Sequence, residues 1–229
     1  MEGGTNHFDE PTAHAPGHPG IAPTWASSAK DLVGTTLGRS RVWFTLGYGI
    51  VNEVYYPCVD IPQIRDLGFI VADGSGFWVE VKRLHDYTLR LLAPGTPAVE
   101  IVHTHERFTL TLRVTPDTDR DVLVVEVNLA GDESLRPYVL VAPRLGTTGR
   151  DNIATIGRHG ARRVLGAEQG PFGLALAAVD DAQQDAFGLM SAGYVGQSDG
   201  WQDFHRNHRL AWQYASAGPG NVALIGGLP

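Results

Sequence analysis

An all-β fold is the prediction for this chain of 229 residues, and three observations carry it. Short apolar segments with alternating polarity recur along most of the length, separated by Gly, Pro and Asp turns. No apolar period of 3.6 residues persists over three turns. Glycine is plentiful at 28 residues, which suits a loop-rich β-protein and opposes a helical one. Hairpin spacing between the segments makes the sheets antiparallel and the architecture a sandwich or barrel.

Taken in order, residues 1–23 are rich in Pro, Gly and His without an apolar period and read as a flexible lead-in draped over the domain. The irregular spacing of His7, His14 and His18 fits no metal motif. Residues 25–32 are expected to form one helical turn, capped by Ser27 or Ser28. A strand over 42–46 breaks at Gly47-Tyr48-Gly49, and a second over 50–56 is closed by Pro57, which has no N–H for the ladder. Alternation in that second strand places Val51, Glu53 and Tyr55 on one face. A carboxylate among apolar neighbours needs a partner, and Arg41 and Arg65 are the nearest cations in sequence. A structural ion pair is therefore the expected role of Glu53. A polar bend through Asp60, Pro62 and Gln63 leads to a strand over 66–71, ended by the hairpin signal Asp73-Gly74.

Further strands are expected over 77–81, 87–92, 99–105, 108–114, 122–127, 138–141, 153–156, 163–165 and 172–179. In the 108–114 segment Phe108, Leu110, Leu112 and Val114 should face the core while Thr109, Thr111 and Arg113 face outward. The run 122–127 is more continuously apolar and reads as a central strand covered on both faces. With no internal repeat and no long linker, residues 24–229 read as one domain.

Bulk properties narrow the function. With 43% hydrophobic and 19% charged residues the chain is ordinary globular material. A net charge of -7 and the lack of a basic run argue against nucleic acid. No apolar stretch approaches the roughly 18–20 residues of a membrane helix. Residues 1–20 lack the apolar core of a signal peptide, so the default expectation is cytoplasmic. The single cysteine, Cys58, makes no internal disulfide and reads as a small, partly buried filler rather than a nucleophile.

Few constellations point to chemistry. His103-x-His105 and His205-x-x-His208 lack the further ligands of a zinc motif, and Asp117-x-Asp119-x-Asp121 lacks the glycine and glutamate of a calcium loop, so a polar hairpin turn is expected there. Neither metal nor cofactor is expected. Trp201, with Gly200 before it and Gln202-Asp203 after it, reads as a loop aromatic with three readings open: stacking on a sugar, packing against a partner domain, or core filling.

Several anchors together resemble a known family. These are Lys30-x-x-x-Gly34-Thr35, Ser40-x-x-Trp43-x-Thr45-Leu46, Glu53-Val54-Tyr55-Tyr56-Pro57, Arg65-Asp66-Leu67, Ala142-Pro143-x-Leu145, the run from Gly193 through Asp199, Trp201 and Asp203, and Gly220-Asn221-Val222-Ala223-Leu224. In this order they resemble the N-terminal β-domain of bacterial and archaeal glucoamylases and glucodextranases, glycoside hydrolase family 15. The resemblance implies a large antiparallel two-sheet β-sandwich, the supersandwich shared with galactose mutarotase-like domains. It also implies a non-catalytic role beside a helical (α/α) barrel expected after residue 229, which carries the acid and base glutamates, so no catalytic residue is assigned in this chain. Trp43, Glu53, Tyr55, Tyr56, Arg65, Asp66, Asp199, Trp201 and Asp203 are then structural or interface candidates. The barrel is the expected partner, α-glucan a candidate ligand, and the separated domain is expected to self-associate. The rival functions are a free-standing carbohydrate-binding module and a sugar mutarotase or epimerase using His103 or His105 with Glu53.

Overall fold

A computed structural model describes residues 11–229. The strands in chain order are β1 (Leu32–Thr35), β2 (Trp43–Gly47), β3 (Ile50–Tyr55), β4 (Pro62–Ala72), β5 (Trp78–Glu80), β6 (Tyr87–Leu91), β7 (Val99–His105) and β8 (Phe108–Pro116). They continue as β9 (Leu123–Gly131), β10 (Arg136–Pro143), β11 (Asn152–His159), β12 (Arg162–Gln169), β13 (Phe172–Leu176) and β14 (Met190–Tyr194). The helix α1 (Gly200–Asn207), β15 (Ser216–Gly220) and β16 (Val222–Gly227) complete the chain. Among the described residues no helix is long and apolar enough to cross a membrane.

All ladders between these strands are antiparallel, as expected. An eight-stranded sheet runs β1-β2-β3-β4-β10-β16-β14, with β5 also paired to β4. The meander β6-β7-β8-β9 and the ladder β13-β12-β11-β15 form two further four-stranded sheets. One buried cluster joins all three, with Phe44 and Phe69 from the large sheet, Ile101 and Leu110 from the meander, and Ala154 and Leu165 from the other ladder. The sandwich is thus present, with its second side divided in two.

The large sheet is apolar on its other face as well. Along β4, Leu67, Phe69 and Val71 enter the shared core, whereas Ile70 and Ala72 meet Leu140, Ile225, Phe204 and Leu210 on the opposite side. Alternation at period 2 gives β4 these two faces, and α1 covers the outer one.

Local chemistry explains the connections. Tyr48 and Gly49 both adopt positive φ, 56° and 69°, in the two-residue turn joining β2 to β3. At Gly49 a Cβ would lie 2.2 Å from Cε1 of His103, so the turn needs glycine for space as well as conformation. The Asp117 turn is a polar hairpin whose Oδ1 accepts from the N–H groups of Asp119 and Arg120, both at 2.8 Å. Along β8 the expected four residues Phe108, Leu110, Leu112 and Val114 are all buried.

Four local expectations are corrected. Residues 25–31 form no helical turn; Ser27 Oγ accepts from the N–H of Ala29 at 3.1 Å, a local turn that competes with helix. The apolar run around β9 lies at the edge of the meander, not its centre, and Val122 and Val124 are 44% and 45% exposed. Pro62 and Gln63 belong to β4 rather than to a bend. Cys58 is exposed in the turn after β3, where a hydrogen bond to Asp60 raises its thiol pKa.

Of the lead-in, residues 11–23 lie against the last strands. Ala13 O accepts from Ala215 N at 2.8 Å, Ala15 N donates to Ser216 O at 2.8 Å, and Asn221 N donates to Pro19 O at 2.9 Å. His14 bonds Ser216 Oγ at 2.9 Å and the Tyr194 hydroxyl at 3.1 Å, and the His18 ring stands edge-on to Tyr194. His7 lies outside the described residues.

The His103 imidazole is fully buried, with Nε2 2.7 Å from Gly49 O and no partner at Nδ1. Burial lowers its pKa below the ordinary histidine value. The unfolded chain therefore binds a proton at a higher pH than the native one, and stability declines as pH falls below about 6.5. Melting curves between about pH 7 and pH 5 should show a steeper fall for the wild type than for His103→Gln, which cannot titrate there.

Candidate functional site

The ladders of the large sheet are irregular at one place. Thr45 pairs with Glu53 and Leu46 with Val51, leaving Asn52 as an extra residue in β3. Asp66 pairs with Ala142 and Ile64 with Pro143, leaving Arg65 extra in β4. Bulges of this kind redirect side chains and open the ladder. Here they face each other across β3 and β4, and the polar residues they redirect form a seam on the face turned away from the shared core.

Glu53 lies in this seam with its side chain 12% exposed. Its Oε2 accepts from Lys30 Nζ at 2.7 Å and from the Tyr55 hydroxyl at 2.6 Å. Neither predicted arginine is the partner. Arg41 pairs with Asp121 and stacks on Tyr56 with 4.6 Å from Cζ to the ring centre, while Arg65 donates to Thr24 Oγ1 at 2.8 Å and lies 3.5 Å from Asp66. Lys30 reaches Glu53 because residues 24–31 cross the outer face: Asn52 Nδ2 donates to Ser27 O at 3.2 Å and Asp31 N to Leu46 O at 2.8 Å. Burial, then the bond to Glu53, pushes the Tyr55 pKa well above the usual tyrosine range.

From Asp66 the seam continues toward α1. Lys82 Nζ lies 3.2 Å from Asp66 and 3.3 Å from Glu80. Glu80 in turn accepts from Trp201 Nε1 at 2.8 Å and from Arg83 Nε at 2.6 Å. Burial works to raise the Glu80 pKa, but Lys82, Arg83 and Trp201 together hold it below the usual value.

Trp201 is therefore not in a loop but in the first turn of α1, half-buried, with its N–H engaged. Asp199 caps that helix, accepting from Gln202 N at 2.9 Å and also from Gly196 N, and burial raises its pKa. Asp203 is buried beneath the helix, where it accepts from the N–H groups of Ala211 at 2.8 Å and Trp212 at 2.6 Å. Trp43 is half-buried opposite Tyr55. Tyr56 belongs instead to the cluster with Arg41 and Asp121.

The geometry thus joins Glu53, Tyr55, Arg65, Asp66 and Trp201 through Lys30, Thr24, Lys82 and Glu80. Arg144 was also missed. It is 5% exposed, donates to Thr24 O at 2.7 Å and Thr147 O at 3.1 Å, and supports the Trp25 indole 3.7 Å above its Cζ. Burial, then the neighbouring Arg65, lowers its pKa. Lys30 stands in the recognised Lys-x-x-x-Gly-Thr motif, while Arg144 is the unspecified position of Ala-Pro-x-Leu; only the first carried a signal.

The mutarotase pairing is not assembled. His103 is in the shared core and the His105 ring stacks on Phe108 at 4.9 Å, whereas Glu53 is on the other face of the large sheet. Among the described residues no group of three His, Cys, Asp or Glu could hold a metal ion.

Fold and seam together define an antiparallel β-sandwich domain whose buried ions tie a terminal segment and a helix to one sheet face. Residues 15–229 match the family described as glucodextranase, domain N, and the chain belongs to that family. It is 27% identical over 211 residues to a glucoamylase of Clostridium sp. (strain G0005), covering 89% of this chain and 29% of the relative. A crystal structure of a bacterial glucoamylase complexed with acarbose superposes with a TM-score of 0.87 at 25% identity, covering 96% of this chain and 33% of that one. The chain therefore spans 29% and 33% of the lengths of the two relatives and is an N-terminal domain of the glucoamylase and glucodextranase type.

Removing Lys30 leaves the Glu53 carboxylate with only a phenolic donor. Breaking a buried pair costs about 3–5 kcal/mol, and partial exposure of Lys30 places Lys30→Met near the lower end. Denaturant titration should show that loss, with much of it recovered in the Lys30→Met, Glu53→Gln double variant. Arg41→Met should change stability far less, because its pair with Asp121 is at the surface.

Proposed function

We propose that this domain is the non-catalytic N-terminal part of an α-glucan hydrolase, packing against a helical (α/α) barrel and supporting its folding. The observation that carries the reading is the match to glucodextranase domain N over residues 15–229, with most of each glucoamylase lying outside the matched region. In the resembled family that remainder is the barrel that releases glucose from non-reducing ends with inversion.

The chemistry of the seam agrees with a supporting role. Inverting hydrolysis needs a protonated and an ionised carboxyl facing each other across a sugar, roughly 6.5–9.5 Å apart. Here Glu53, Asp66 and Glu80 each hold a lysine, and Asp199 and Asp203 hold backbone N–H groups around α1. Groups committed in this way hold structure together; they are not poised to exchange protons with a substrate.

Anomer-resolved NMR with maltooligosaccharides and isomaltooligosaccharides tests the reading. The 229-residue chain should release no glucose, the whole enzyme carrying it should release the β-anomer, and deleting the domain should lower the yield of folded barrel. Glucose release by the 229-residue chain would overturn the non-catalytic assignment. Faster mutarotation of α-glucose without hydrolysis would favour the epimerase reading instead.

A further inference from the structure

The meander β6-β7-β8-β9 ends at β9, the longest edge strand among the described residues. Its nine residues pair with β8 on one side and, among the described residues, with nothing on the other. An open row of N–H and C=O groups is a template for another strand, and proteins blunt it with short strands, charge, proline or bulges. The other edges follow that rule. Strand β1 has four residues and β13 five, β6 carries Arg90, and β15 contains Pro219. At the β14 edge Ala192 N already donates to Tyr214 O at 2.9 Å. Strand β9 has no lysine, arginine or proline, and its ladder to β8 runs without a bulge.

The side chains of β9 are unfinished in the same way. Leu123, Val125, Val127 and Leu129 pack toward the shared core but stay partly exposed, whereas Leu110 and Leu112 of the neighbouring β8 are sealed. On the other face Val124, Glu126, Asn128 and Ala130 are exposed. A strand that completes this edge must therefore be extended, apolar at alternate positions and free of a like charge opposite Glu126. The sequence of β9 itself meets all three conditions. Antiparallel pairing about a two-fold axis at Val127 matches all nine residues. Val125 then faces Leu129 of the second copy, Val127 faces its equivalent, and Glu126 faces Asn128, whose amide donates to a carboxylate. An axis at Glu126 would instead set two carboxylates against each other.

We propose that β9 is a self-association edge, where a second copy of this chain adds its own β9 antiparallel and joins two four-stranded meanders into one continuous sheet. This goes beyond the supporting role proposed above and does not depend on it. It accounts for an interior strand's composition at an edge position: in the dimer β9 has a neighbour on both sides, and its core-facing row continues into the identical row of the second copy. The exposed face of the joined strands stays polar at its centre, where Glu126 and Asn128 alternate.

Sedimentation equilibrium of the 229-residue chain, joined to amide hydrogen exchange along β9, tests this. The chain should dimerise, and exchange at alternate β9 amides should slow as concentration rises, because the N–H groups of an edge strand point outward at every second residue. The exposed Asn128 supplies a test of register. Asn128→Lys sets a cation opposite Glu126 on both sides of the axis and should lower the dissociation constant about fivefold, whereas Asn128→Glu sets a carboxylate there and should raise it about fivefold. At dilution, where the chain is monomeric, both variants should melt with the wild type, so neither effect comes from folding. A monomer at every concentration overturns the proposal, as does a dimer that ignores both variants or is weakened by both. Concentration-independent protection of β9 in the whole enzyme that carries this domain would mean that another part of that enzyme pairs the edge, and overturns it too.

Discussion

The strand β4 lies in the middle of a sheet that is apolar on both sides, and such a sheet must be covered twice. On one side the two four-stranded ladders supply the cover, through the cluster containing Phe69, Leu110 and Leu165. On the other, only the upper part of β4 finds a helix, where Ile70 and Ala72 meet Phe204. Below it, at Arg65 and Asp66, the strand turns polar and the ladder bulges. The unequal cover of this one face determines where α1 sits, why residues 24–31 cross the sheet, and where charge is buried.

The buried ions are best understood as positional devices. A buried pair contributes little net stability compared with an apolar replacement, but losing one partner is costly, so each pair penalises misplacement of the segment that bears it. Lys30 fixes the crossing segment to β3, and Glu80 fixes β5 to Trp201 on the helix. Asp199 and Asp203 then orient the helix and the chain that returns from it. A different chemistry holds the meander, where Arg90, Glu100 and Arg113 line up across β6, β7 and β8 with both guanidinium Nε atoms 2.9 Å from Glu100.

The strands were legible because their signals are local. Alternation marks β8, and Gly-containing turns punctuate β2 and β3. The helix was missed because eight residues cannot establish a 3.6 period, although Asp199-x-x-Gln202 carries a capping pattern. The partner of Glu53 was illegible for another reason. Two bulges and a crossing segment must form before Lys30 comes within 2.7 Å, and proximity in sequence favoured the wrong cations. The apolar run entering β9 misled because its composition resembles a buried strand, while its place at an edge is decided only by the topology of the meander.

The hydrogen bonds that link Ala13, Ala15 and Pro19 with Ala215, Ser216 and Asn221 bring the two extremes of the described chain together. The strand β16 is inserted between β10 and β14, so the large sheet lacks an interior strand until nearly all of this domain is available. During synthesis, a nascent chain still missing β16 holds its early strands beside an unpaired edge of β10. Pairings so distant in sequence close slowly, and the exposed edge is open to wrong partners in the meantime. Emergence of β16, rather than of the first strands, is then the event at which this sheet closes.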